Sequence, residues 1–192
     1  MKRSHFIEIA MITLICLTSL GTVGKSFFLK TAFNNHSESQ LITDISQYQQ
    51  IRQQLSSDNE HIQHFPHQLP VGAENIRFAY YSGNATTASF LQLRFKYSSE
   101  TIQKLLSQYQ HLAQHHYRGG NTNDHVNQKN GVPTTFFYTS DGGMESFPPS
   151  YEILVLDAQD QGKPGFKWNH GHSYGVAIDI SASEIVYWAE KW

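Results

Sequence analysis

Three hydrophobic rhythms divide the chain. The first is a nearly unbroken apolar run from Phe6 to Gly24, interrupted by Glu8, Thr13, Thr18, Ser19 and Thr22. As a helix this run would span about 28 Å, close to the ~30 Å hydrocarbon core of a bilayer. Lys2 and Arg3 precede it, and Lys25 with Phe27-Phe28 follows as an interfacial boundary would. Residues 1–33 are therefore expected to be a targeting segment, either a retained membrane anchor or a cleaved signal peptide. Small residues at Ser19–Gly21 and Thr22–Gly24 offer cleavage positions. The retained anchor, crossing through residues 6–24 with the following domain outside the cytoplasm, is the primary expectation. A buried helix of a soluble domain would usually carry a polar stripe.

The second rhythm steps by three and four. After a polar linker, 34–40, the residues Leu41, Ile42, Ile45, Tyr48, Ile51 and Leu55 recur this way and predict an amphipathic helix. Ile102, Leu105, Leu106, Tyr109, Leu112 and Ala113 predict a second, capped by Ser98 or Ser99 and stopped at Gly119-Gly120. Between the helices, HIQHFPHQLP reads as an irregular connector, because Pro66 and Pro70 push their neighbours to extended geometry.

The third rhythm alternates. Ile76, Phe78 and Tyr80, then Leu91, Leu93, Phe95 and Tyr97, flank a Gly-Asn turn and predict a hairpin with one apolar and one wet face. TTFFYTS, YEILVLD, SYGVAIDIS and EIVYWAEKW read as four further strands, the last two as a closing hairpin. Strands without βαβ alternation predict an α+β fold. The expectation is one domain, 41–192, with a mainly antiparallel sheet of about six strands. Two amphipathic helices pack on it, and the N-terminal hydrophobic helix stands apart.

Charge sharpens this division. Residues 1–33 carry +3, leaving 10 of the 14 basic and 15 of the 16 acidic side chains to the rest, a charge of −5. A domain of that balance with no basic cluster is a poor match for nucleic acid. The one cysteine, Cys16, lies in the apolar run, so the folded part has neither disulfides nor thiolate metal sites. Small residues do not precede Cys16 as a lipidated cysteine would need.

Three stretches carry candidate chemistry. GHSYG, 171–175, has the G-x-S-x-G form of a hydrolase nucleophile elbow. That elbow needs a strand before the serine and a helix after it. Here a glycine-rich loop precedes and a strand pattern follows, with no histidine beyond Ser173. Ser173 is expected to sit in a turn leading into the last hairpin, and no catalytic residue is assigned.

The histidines come second. His61, His64 and His67 are three apart, and His111 and His115 would share one face of the second helix at a spacing that suits zinc. There is no HExxH, and that face is polar, so no metal or other cofactor is assigned. Residues 34–192 hold 10 histidines, so full protonation would carry this part from −5 towards about +5.

The third stretch is GKPGFKWNHGH, 162–172. Trp168, Asn169, His170 and His172 set hydrogen-bonding groups beside an aromatic ring, and are the candidate ligand-binding residues for a polar ligand such as a glycan. The competing reading is a long connection that tucks Phe166 and Trp168 back on the core.

Residues 64–102, HFPHQLPVGAENIRFAYYSG through FLQLRFKYSSETI, and the closing YGVAIDISASEIVYWAEKW together resemble a group of uncharacterised bacterial proteins. That group has an amino-terminal membrane segment and a small exported domain. The resemblance implies a bacterial envelope location and brings no activity, ligand or site residue with it. The expectation is an anchored or exported envelope domain that binds or assembles, with a protein or glycan partner undetermined. The alternative is an envelope hydrolase or metal-dependent enzyme using its histidines.

Overall fold

The alternating runs form the hairpin expected of them. The computed structural model describes residues 40–56, 60–83, 88–120, 136–165 and 169–192. In it β2 (Glu74–Tyr81) pairs antiparallel with β3 (Ser89–Lys96), Phe78 opposite Leu93 and Tyr80 opposite Leu91. β6 (Gly171–Asp179) and β7 (Glu184–Lys191) form the second hairpin. β7 also pairs along its whole length with β3, from Ser89 opposite Lys191 to Lys96 opposite Glu184. β5 (Glu152–Asp160) adds to β6, β4 (His115–Arg118) to β5, and β1 (Leu41–Ile42) to β2. The seven-stranded sheet therefore runs β1-β2-β3-β7-β6-β5-β4, every pair antiparallel. With its two helices it is an α+β unit.

Both helices are shorter than their periodicity suggests. α1 spans Tyr48–Ser56, after a 3₁₀ turn at Ile45–Gln47. The Asp44 carboxylate accepts the Ser46 N–H at 3.0 Å, so capping starts the helix late and frees Leu41–Ile42 to pair as β1. α2 spans Ser99–Leu112, with Ser98 as its N-cap and extended backbone at Ala113. HHYR does not continue it, contrary to expectation. His115–Arg118 takes the edge of the sheet instead, its backbone bonds supplied by β5. Histidine and tyrosine are middling helix formers, and a ready ladder outweighs that weak preference.

The helices cover one face. Tyr48 and Ile51 of α1, with Ile102 and Tyr109 of α2, close over Phe78, Leu93, Phe95, Val176, Ile178 and Tyr187. α2 leaves β3 and crosses towards β4, four strand spacings away. Its 14 residues give about 21 Å of helix, and four spacings are about 19 Å, so its length matches the crossing.

The opposite face is not wet, which the alternation did not anticipate. A strap, 136–151, lies over it, and Phe136, Phe147 and Tyr151 pack on Ile153, Val155, Ala177, Val186 and Trp188. TTFFYTS is not a strand where it is described. Phe136–Thr139 turns back on itself, the Ser140 N–H reaching the Phe136 carbonyl at 3.0 Å. Phe136 and Thr139 are buried, whereas Phe137 and Tyr138 are exposed. The central strands are thus covered on both sides, which accounts for the dense apolar runs of β6 and β7. Among the described residues the strands number seven, not six: β1 and β4 join, and 136–140 is not a strand.

No helix among the described residues is long and apolar enough to cross a membrane, and the run 6–24 lies outside them.

Candidate functional site

The serine of GHSYG is the first residue to place. The pentapeptide lies inside β6, not in a turn. Its glycines answer to crowding. A Cβ on Gly175 would lie 2.2 Å from the Leu154 carbonyl oxygen and 2.6 Å from the Trp188 ring, and one on Gly171 2.4 Å from the Gln159 carbonyl oxygen. Ser173 is buried on the strap face, where its hydroxyl takes the Trp188 indole N–H at 3.4 Å. Strand alternation sends its neighbour His172 to the helix face. The two side chains cannot meet, and no nucleophile–base pair arises here.

His172 instead enters a cluster. Its Nε2 lies 3.4 Å from the Asp157 carboxylate, and its ring stacks on His61 with centroids 4.2 Å apart. Tyr174, two residues along β6, sits 5.1 Å from the His61 ring and 5.4 Å from that of His64. A bulge in β5 after Val155 brings Asp157 to this face.

The connector that carries His61 and His64 is irregular, so its carbonyls need outside donors. Both helices supply them. The Tyr48 hydroxyl donates to the Pro66 carbonyl at 2.5 Å, Arg52 Nε to that of Phe65 at 3.2 Å, and the Tyr109 hydroxyl to that of His64 at 3.1 Å. His64 Nε2 in turn bridges the carbonyls of Gly175 and Trp188, at 3.0 and 3.1 Å, which requires it to carry the proton. Burial pushes this imidazole down to about 4, and the two carbonyls only partly offset that.

The cluster flanks an open cleft of about 450 Å³ at the end of the sheet, on the helix face. Two rows of side chains form it. The inner row is apolar, with Tyr80, Leu91 and Ala189 beneath Leu55 and Ile62. The outer row hydrogen-bonds, with Ser82, Ser89, Lys191 and His172. Register sets the order, since Ser89 faces Lys191 and Lys191 faces His172 across three adjacent strands. Glu190 and Phe90 line its far end.

Of the four residues expected to bind a ligand, Trp168 lies outside the described residues. Asn169 and His170 are exposed in the turn before β6, and only His172 lines the cleft. The His111–His115 pair is not formed, because His111 ends on α2 and His115 begins β4. His61 and His64 come to the cluster, whereas His67 stays exposed. Among the described residues no group of three or more His, Cys, Asp or Glu converges as a metal site. Local spacing does not reveal the rest of the outer row, because its members come from four separate strand ends. The signal that was there is the polar close of each apolar run, at Ser82, Ser89 and Lys191.

A second polar assembly lies beneath the strap. Arg94 Nε is 2.9 Å from the buried Glu184 carboxylate, which also accepts the Tyr151 hydroxyl. Its other nitrogens reach the Thr139 carbonyl at 2.8 Å and Asp141 at 3.0 Å. Arg77 holds the same Asp141 at 3.0 Å. The Arg94 hydrogen bond and charge keep the Asp141 carboxyl below its ordinary range. Burial, reinforced by Glu184, raises the Tyr151 phenol. These groups bolt the strap to the sheet.

Comparison with protein-family models, curated sequences and solved structures finds no match for this chain.

Proposed function

We propose that this chain is a bacterial envelope protein, held in the cell membrane by residues 6–24, whose folded domain lies outside the cytoplasm and binds a small ligand without transforming it. The observation that carries the binding reading is the cleft, whose volume of about 450 Å³ falls within the roughly 300–1,000 Å³ usual for small-molecule sites. Its apolar inner row and polar outer row favour an oriented ligand. The anchor rests on the apolar run and its basic flanks, and cleavage to a free exported form is the variant of the same reading.

The test has two parts. A reporter active only outside the cytoplasm, fused after Trp192, should be active. Alkaline extraction should leave the intact chain in the membrane. Activity with release into the supernatant would mark the cleaved form, and an inactive reporter would overturn the placement.

One observation favours a second reading, an envelope hydrolase using its histidines. Asp157 beside His172 at the cleft wall is an arrangement that orients an imidazole as a general base. Under that reading His172→Gln abolishes turnover of a cleft-bound ester. Under the binding reading there is no turnover to lose.

A further inference from the structure

The charges around the cleft single out one side chain. Asp157 is engaged by His172, and Asp160 accepts the Gly162 N–H at 2.8 Å. Glu190 also lines the cleft, at its far end beside Phe90, and alternation sets it on the opposite face of β7 from Lys191 and the inner row. Lys191 is exposed in the outer row, between Ser89 and His172, and makes no ion pair among the described residues. The polar end of the cleft therefore presents an ammonium with no ion pair among the described residues, beside two serine hydroxyls. An anion fits these donors, and Lys191 supplies the charge.

The apolar end sets the rest of the ligand. From Lys191 to Ala189 is two residues of strand, about 7 Å, the length of an extended chain of about five or six carbons. Tyr80 and Leu91 continue the apolar row sideways across β2 and β3.

We propose that the cleft binds a short-chain aliphatic carboxylate of about six carbons, its carboxylate against Lys191 and its chain on Ala189, Leu91 and Tyr80. This rests on the reading of the cleft as a binding site. The head group gains a charge-assisted contact, and the chain leaves water for the inner row.

The experiment uses the full chain in phosphatidylcholine nanodiscs, with empty nanodiscs subtracted. Ligand-observed NMR titrations compare hexanoate, hexan-1-ol and hexylamine. Hexanoate should bind saturably at one site, about tenfold more tightly than hexanol, with hexylamine weakest. Lys191→Gln should reduce hexanoate to the level of hexanol and leave hexanol unchanged. Ala189→Leu, which fills the inner row, should abolish both, and its unfolding midpoint reports that the fold persists. Hexanol or hexylamine matching hexanoate in an Ala189→Leu-sensitive site overturns the carboxylate while keeping the cleft as a binding site. If no probe shows Ala189→Leu-sensitive binding, the cleft reading falls with it.

Discussion

The two faces of the sheet are closed by different physics. On the helix face, side chains from two regular helices meet the strands through apolar contact, and the polar groups involved mostly serve to hold the connector carbonyls. On the strap face an irregular segment is held by aromatic packing plus a charged chain, Arg77–Asp141–Arg94–Glu184. Apolar packing tolerates small adjustments of position. A buried ion pair does not, because removing one partner strands the other in a medium that solvates it poorly. The strap is thus specified by a few groups that depend on one another, and the helix layer by many that act independently.

The largest expected effect breaks the charged closure. Arg94→Ala should cost about 4 kcal/mol in urea unfolding, since Glu184 is left buried and unpaired. The double change Arg94→Met with Glu184→Leu should recover most of that loss. If the double variant is as unstable as the single, specific pairing matters more than the stranded charge. On the helix face Leu93→Ala should cost about 3 kcal/mol, within the span for large-to-small core changes. A loss similar to that of Arg94→Ala, also unrescued by a compensating partner, would erase the contrast.

The third test is pH. His64 is held neutral in the fold, down to about 4 against an ordinary value near 6.5. Its contribution is complete above about pH 6.5 and is lost as the pH falls towards 4, about 3 kcal/mol in all. Urea midpoints at pH 7 and 4.5 should fall further for the natural chain than for His64→Gln. Equal falls would show that the connector does not depend on that imidazole. The smallest effect belongs to Asp141→Asn. Asp141 is largely exposed, with 63% of its side chain accessible, and its two arginine pairs are worth under about 1 kcal/mol to stability. Proteolysis should nonetheless cut the strap sooner in that variant.

The same contrast decides what could be read from the residues alone. Periods of 2 and about 3.6 are written by a flat interface, so the hairpin at 74–96, the second helix and the closing hairpin are legible. The strap has no flat partner. Phe136 and Thr139 turn inwards because their backbone folds on itself, and TTFFYTS looks like a strand until that turn is seen. Gln92 and Arg94 look like the wet side of β3 for the same reason, yet Gln92 is buried against Thr139. The cleft was legible only in pieces. His172 stands within a loop motif, but its partners lie far away in the chain, at Asp157 and His61. Register, not local spacing, brings them together.

The place of β7 in the sheet also governs how the domain can be made. It wedges between β3 and β6, so until residues 184–191 have been synthesised the earlier strands form two ribbons with facing raw borders. Closure waits for pairing across some ninety positions of chain, a slow kind of search. A nascent polypeptide with that delay keeps both borders unpaired until β7 arrives.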